Sequence, residues 1–380
     1  MKILLLCWRD STHPQGGGSE RYLERVGEYL AAHGHEVVYR TAGHTDAPRR
    51  SQRNGVRFSR SGGKYSVYPK AWAGMLLGRM GVGTLAGIDA VVDTQNGIPF
   101  FARLVSGAPT VLLTHHCHRE QWPVAGPIIA RIGWLLESQV APRVYRGAPY
   151  VTVSQASKDD LVDLGVRADD IRIIENGIDP VPAHVPQLAE DGAIHLVTLS
   201  RLVPHKQIEH AMDTLAALAP GRTLVLDVIG SGWWEDELRE YAIARGITEQ
   251  VIFHGQVTED YKHALLARAA VHLMPSRKEG WGLAVVEAAQ HGVPTVGYRT
   301  AGGLRDSIQD HITGLLADSP ADLTRLTALL LDDAPLRRSL GTTARQWVTD
   351  FSWATTGARF HELLVEHTAQ RRGSAASRGA

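Results

Sequence analysis

Residues Ile3–Cys7 form an unbroken apolar run with no polar alternation. A strand with one wet face alternates apolar and polar residues. A run without alternation belongs to a strand covered on both faces, as in a parallel sheet flanked by helices. The next residues agree. Gly16-Gly17-Gly18 supplies a turn. Ser19–Ala32 then places Tyr22, Leu23, Val26, Tyr29 and Leu30 at spacings of three and four, and Gly34 ends the pattern. The same alternation predicts strands at Glu36–Tyr39, Ala90–Asp93, Thr110–Thr114, Tyr150–Val153 and Ile171–Ile174. Helices fill the intervals, including Ile128–Tyr145 and Lys158–Leu164. From Asn176 to Gly192 the prolines at 180, 182 and 186 and the loss of periodicity mark a linker. A second series then begins, with strands at His195–Leu199, Leu224–Ile229, Val251–His254, Val271–Met274 and Thr295–Tyr298 and helices to about Thr349. The fold class is therefore α/β, with an N-terminal domain over 1–180, a C-terminal domain over 190–350 and a terminal helix over 351–370. Two such domains are expected to face a central cleft. Open α/β sheets bind ligands at the carboxyl ends of their strands.

Composition removes several classes of function. At 380 residues the chain exceeds one ordinary domain. Its 40 basic and 40 acidic side chains cancel, which disfavours a nucleic-acid partner. Two cysteines, Cys7 and Cys117, cannot make a disulfide framework. No segment reaches the ~18 apolar residues that span a bilayer. The first apolar run stops at Arg9-Asp10, too soon for a signal peptide, so a cytoplasmic location is expected. The Gly/Ser/Ala/Arg-rich segment Arg371–Ala380 is expected to be disordered.

Four motifs carry chemistry. Gly16-Gly17-Gly18-Ser19-Glu20 lies between a strand and a helix, where bare backbone and free N–H groups favour an anion; a simple loop capped by Ser19 is the plainer reading. It is not G-x-G-x-x-G, and no acid closes the second strand, which weakens a dinucleotide-oxidoreductase reading. Ser200-Arg201-Leu202-Val203-Pro204-His205-Lys206 comes after a strand and sets a forked guanidinium and an ammonium where a diphosphate would lie. Glu279-Gly280-Trp281-Gly282-Leu283-Ala284-Val285-Val286-Glu287 comes after the strand Val271–Met274. It offers one carboxylate in the loop, one on the next helix, and free amides between them. Paired carboxylates gripping hydroxyls fit a polyol such as a sugar nucleotide. Thr114-His115-His116-Cys117-His118 ends a strand, but adjacent ligands point apart on an extended chain, so no metal site is expected there. A single histidine of this group facing the cleft is the stronger reading.

With these residues in the same order, the chain resembles the retaining glycosyltransferases of the GT-B fold, specifically glycosyltransferase family 4. Glu279 to Glu287 matches the family's E-x₇-E element, Arg201 and Lys206 its strand-terminal cations, and Gly16-Gly17-Gly18 its N-terminal glycine loop. Glu175-Asn176-Gly177-Ile178-Asp179, Phe253-His254-Gly255, Ala301-Gly302-Gly303 and Phe351-Ser352-Trp353 resemble further family segments, and the likeness covers nearly the whole chain. It implies two Rossmann-like domains, the first for the acceptor and the second for the donor, with the terminal helix crossing back to the first. Arg201 and Lys206 would hold the donor diphosphate and stabilise the leaving group. Glu287 would bind the ribose. Glu279, with the amides of Gly280, Trp281, Gly282 and Leu283, would hold the donor sugar. Gly17 and Gly18 would lie against the diphosphate or the acceptor, and His115, or His116 one residue on, against the donor sugar near the reacting carbon. The resemblance implies no cofactor and no metal. The nucleotide sugar, a GDP- or UDP-sugar, is a co-substrate. Anomeric configuration would be retained, by front-face attack with the leaving phosphate as base.

A sugar-nucleotide 2-epimerase of the same architecture and an inactive binding subunit are the alternatives. The complete set of Arg201, Lys206, Glu279 and Glu287 argues against the latter. A hydroxyl acceptor is expected, lipid-linked or another cell-envelope precursor. The segment Arg49–Lys70 bears Arg49, Arg50, Arg53, Arg57, Arg60, Lys64 and Lys70, interleaved with Phe58, Tyr65 and Tyr68 and free of acids. It is the expected point of peripheral contact with the inner membrane face.

Overall fold

The structure, a computed structural model, describes residues 1–13, 16–119, 122 and 126–376, with residues 372–376 given by backbone only. The chain forms two compact units, Met1–Gly177 joined by the C-terminal segment from Ser352, and Ile178–Phe351.

The first unit holds an eight-stranded sheet. Its strands are β1 (Lys2–Leu6), β2 (Glu36–Thr41), β3 (Arg50–Arg53), β4 (Val56–Arg60), β5 (Ala90–Thr94), β6 (Thr110–Leu113), β7 (Tyr150–Thr152) and β8 (Ile171–Ile173). Their order is β3-β4-β2-β1-β5-β6-β7-β8. All neighbours run parallel except β3 and β4, an antiparallel hairpin. Leu4 and Leu6 of β1, Val38 of β2 and Val91 of β5 are buried in one apolar cluster with Val67, Ala71 and Met75 of the helix Val67–Arg79. Ile3 and Leu5, on the other face of β1, are also fully buried, the two-sided burial that an unalternated strand requires.

Part of Arg49–Lys70 is the β3–β4 hairpin. Asn54 and Gly55 both take positive φ, 48° and 81°, the turn that joins two twisted strands in two residues. Arg60 is buried and bonds Asp10 at 2.6 Å, Arg53 pairs with Glu24, and Arg57 with Glu36. Three of the seven cations are thus tied to acids of their own unit. The segment is not a continuous basic patch.

The expected helix Ile128–Tyr145 is three pieces: an α-helix Pro127–Leu135, a π-helical turn Leu136–Val140 and a short helix Ala141–Val144. Pro142 has no N–H for the i−4 carbonyl, and the ladder widens just before it. The C-terminal helix runs Trp353–Ala376, so residues 371–376 are helical rather than disordered; 377–380 lie outside the described residues. It packs on the helix Gly18–Ala32, with Tyr22 edge-on to Trp353 and Phe360 at 6.0 and 6.3 Å. Arg359 bonds the carbonyl of Ile173 at 2.7 Å and pairs with Glu175.

The second unit is a six-stranded, wholly parallel sheet: β9 (Ile194–Leu199), β10 (Leu224–Ile229), β11 (Val251–Gly255), β12 (Val271–Met274), β13 (Thr295–Tyr298) and β14 (Gly314–Ala317). Their order is β11-β10-β9-β12-β13-β14. β14 is additional to the strands expected; its run Gly-Leu-Leu-Ala is short and opens on glycine.

Candidate functional site

In the second sheet the strands are added outward from β9 to β11, and the chain then returns to β9's other side with β12. That reversal is the switch point at which open parallel sheets accept ligands. Arg201 and Lys206 come after β9, and Glu279 after β12, its direct neighbour.

After β9 the backbone is held by Ser200 N–H donating to Ile229 and Leu202 N–H to Ser231, at 3.1 and 3.0 Å. One 3-10 turn, Pro204–Lys206, comes next. It delivers the Lys206 ammonium to Glu279 Oε1 at 2.5 Å. Arg201 is exposed at the strand end. Burial, reinforced by the Lys206 charge, pushes His205 between them down to about 4, so its imidazole is neutral at pH 7.

Glu279 sits in a loop bound to a second loop. Its N–H donates to Ala301 at 2.8 Å, and Gly303 N–H donates back to its carbonyl at 3.1 Å. A Cβ on Gly303 would lie 2.4 Å from the carbonyl of Gly280, so only glycine lets the loops meet. Gly282 takes φ +98° at the start of the helix Leu283–Gln290, a turn that disfavours any side chain. The Trp281 side chain is 3% exposed and packs edge-on against Phe351 at 5.0 Å. The indole is therefore closed to a ligand. On the helix, Glu287 Oε1 accepts from Lys262 Nζ at 2.7 Å, and Lys262 also reaches Glu259 at 2.7 Å. Burial alone would lower the Lys262 pKa; Glu287 and Glu259 outweigh it and raise it.

The first sheet reverses between β1 and β5. The glycine loop comes after β1, and Asn96 after β5. Both converge on Glu20, which is fully buried. Its carboxylate accepts from Arg9 Nε at 2.7 Å, Gly17 N–H at 2.8 Å and Asn96 Nδ2 at 3.0 Å. The Gly17 amide, expected to be open to an anion, is therefore engaged by the third residue of its own helix, half of a capping box. Among the described residues, a Cβ on Gly17 would meet only a Glu20 oxygen, at 3.6 Å. Gly18 begins the helix.

His115, just past β6, is 6% exposed, with its ring edge-on to Tyr22 at 5.0 Å. Neither ring nitrogen has a hydrogen-bond partner among the described residues. Burial pushes it down to about 4, leaving it neutral at pH 7. His116 instead lies 4.4 Å from the His118 ring. His118 Nδ1 contacts the buried Glu137 at 3.2 Å, and Glu137 also takes the Trp122 N–H at 2.6 Å. Among the described residues no three His, Cys, Asp or Glu side chains are grouped to hold a metal.

The structure thus joins Lys206 to Glu279, and the Glu279 loop to Ala301–Gly303, within the second unit. Three residues of these networks have no role assigned from the sequence. Glu20 could be found there as the third residue of a helix beginning after Gly17. Lys262 and Glu137 carry no local signal, because their partners come from other elements.

Two family models match in tandem: Glycosyltransferase Family 4 over residues 16–181 and Glycosyl transferases group 1 over 183–347. The chain is 31% identical to a GDP-mannose-dependent alpha-(1-6)-phosphatidylinositol monomannoside mannosyltransferase of Mycobacterium tuberculosis, over 71% of this chain and 73% of that protein. It is 27% identical to the MMP alpha-(1->4)-mannosyltransferase of Mycolicibacterium hassiacum, over 94% and 96%. The sucrose-phosphate synthase of Thermosynechococcus elongatus superimposes with a TM-score of 0.81 at 19% identity, over 97% of this chain and 99% of that one. The chain belongs to glycosyltransferase family 4 and has its GT-B fold of two Rossmann-like domains.

Proposed function

We propose that this glycosyltransferase is a retaining mannosyltransferase that moves mannose from GDP-mannose to a hydroxyl of a lipid-linked glycan acceptor of the cell envelope. The observation that carries the reading is the Lys206–Glu279 contact at the switch point of the second sheet. It puts a cation and a carboxylate where a diphosphate and its sugar would meet. Lys206 and Arg201 would stabilise the departing diphosphate as charge develops, a preorganised electrostatic contribution. Glu279 would orient the sugar hydroxyls and Glu287 the ribose. Lys262 grips Glu287 by Oε1 and so fixes the direction of that carboxylate. His115, neutral and without a hydrogen-bond partner among the described residues, is suited to a sugar hydroxyl. The cation pair supplies charge at the phosphates without a divalent ion. The choice of mannose, GDP and a lipid-linked acceptor rests on the two relatives, both mannosyltransferases by name, one acting on a phosphatidylinositol mannoside.

The test is a thermal-shift panel of GDP-mannose, UDP-glucose and ADP-glucose, with transfer to detergent-dispersed phosphatidylinositol monomannoside in EDTA measured next. GDP-mannose alone should raise the melting temperature, since a ligand of the folded state stabilises it. The product should carry an α-linked mannose by NMR. Stabilisation by UDP-glucose only, an inverted linkage, or conversion of the donor to an epimer without acceptor would each refute part of the reading.

A further inference from the structure

The helix Pro127–Leu135 is turned inside out relative to an ordinary surface helix. At 100° per residue, Ile128, Ile132 and Leu135 fall on one narrow stripe, with Arg131 on one flank and Ile129 on the other. An apolar stripe normally faces the core. Here Ile128 is 73% exposed, Ile132 52% and Leu135 54%. The inward side is small: Gly133 is the helix's one buried residue, and a Cβ on it would lie 2.2 Å from the Trp122 ring. Trp122 is in turn anchored to the buried Glu137. The helix is therefore seated by that contact, and its apolar stripe points outward.

The surrounding charge identifies what the stripe meets. Between Gly126 and Arg146 the exposed charged residues are Arg131, Arg143 and Arg146. The one acid in the interval, Glu137, is fully buried. Before the helix, the Arg119 guanidinium stands 5.7 Å over the Trp134 ring. An outward stripe of isoleucine and leucine flanked by Arg131, in an interval whose exposed charges are all arginines, is the composition of a helix that lies in the interface of an anionic bilayer.

We propose that the helix Pro127–Leu135 docks this protein on anionic phospholipid membranes, burying Ile128, Ile132 and Leu135 among the acyl chains with Arg131, Arg143 and Arg146 at the headgroups. It comes after β6, whose end carries His115, so the membrane contact and that residue share one connection. This surface replaces Arg49–Lys70 as the membrane contact. The inference rests on the lipid-acceptor reading above and names the surface on which such an acceptor is met.

The full chain is sedimented with phosphatidylcholine vesicles and with phosphatidylcholine–phosphatidylglycerol vesicles. Wild type should bind the mixed vesicles. I128Q/I132Q should bind them about tenfold more weakly or worse, through lost apolar burial, and R131Q/R143Q/R146Q should lose the preference for the anionic lipid. All changed side chains are exposed, and thermal melts of the variants should match wild type. In detergent, both variants should transfer mannose to phosphatidylinositol monomannoside as wild type does. Failure of wild type to sediment, or equal sedimentation of I128Q/I132Q, overturns the proposal. So does a wild-type dimer by light scattering that I128Q/I132Q converts to monomer without vesicle binding, which would assign the stripe to a second copy. Vesicle binding without transfer in detergent would leave the docking surface standing and remove the lipid-acceptor reading. Transfer in detergent without vesicle binding would do the reverse.

Discussion

The Lys206 ammonium and the Glu279 carboxylate stand 2.5 Å apart on loops from two neighbouring strands, 73 residues apart in sequence. Each holds the other in place, and each would also face a different part of the donor. Removing either one is expected to lower turnover by at least ~100-fold, about 2.7 kcal/mol of barrier, the scale of one preorganised electrostatic contact. The fold should survive, because both side chains lie at loop surfaces rather than in the apolar core. Since they act as one unit, the Lys206→Ala/Glu279→Ala double variant should lose less than the product of the two single losses. Steady-state turnover and a melt of each purified variant measure this. Near wild-type turnover in both single variants would remove the site assignment.

At the scale of elements, the candidate site of the second unit depends on two loops closed against each other. The Gly303→Ala methyl would fall 2.4 Å from the Gly280 carbonyl and 2.6 Å from the Trp281 nitrogen, all backbone atoms that cannot rotate away. The variant should lose about 1–3 kcal/mol of stability by overpacking, and its donor affinity should fall with the displaced Glu279 loop; calorimetry and nucleotide titration read the two effects separately. An unshifted melt with intact donor binding would show that the loops move freely. The apolar runs of β1, β9 and β12 make the parallel sheets legible in the sequence, because two-sided burial leaves no alternation; the switch points depend on strand order, which no local run encodes. The hairpin is harder to read, although Asn54-Gly55 announces it. Arginine fills the inward position 60, and its partner Asp10 lies 50 residues away, a pairing that only the fold creates. The helix Pro127–Leu135 is legible as a helix, but periodicity fixes a stripe and not the direction it faces. Lys262 looks like a surface lysine until Glu287, 25 residues on, is brought to it.

Across the whole molecule, protons link the two units to acidity in the same sense. His115 in the first unit and His272 in the second are buried and pushed down by burial, to about 4 and about 3. His205 and His291, both in the second unit, are pushed down to about 4, again mainly by burial. The unfolded chain protonates these groups near the ordinary value of 6.5, while the folded chain does not until pH 4 or below. Between those limits the unfolded state binds more protons, so stability falls as pH falls, on the order of 1.4 kcal/mol per pH unit for the buried His115 and His272, and less for the half-buried His205 and His291, where solvent screens the charge. His195, raised by Asp227 against the effect of its burial, works the other way: it adds stability below 6.5. Asp93, pushed up by burial to about 6, and Glu24, also raised by burial, oppose the histidines too, because the folded chain takes up their protons first. Against these three stand eight lowered histidines, the four above with His13, His35, His263 and His367. Asp227 is held down to about 2 because its bonds to His195 and His254 outweigh burial, so its contribution is complete above its ordinary value of 3.8 and is lost only between 3.8 and about 2. The melting temperature should therefore begin to drop as pH passes below 6.5, well before paired carboxylates such as Asp227 titrate. The variant His272→Gln keeps a polar side chain beside Thr295, whose hydroxyl lies 3.0 Å from His272 Nδ1, but cannot take up the proton. It should be less stable than wild type at pH 7 and yet show a shallower decline from 6.5 to 4. Scanning calorimetry across that range reads the slope independently of the starting stability. A slope unchanged in both His272→Gln and His115→Gln would place the acid sensitivity in other groups.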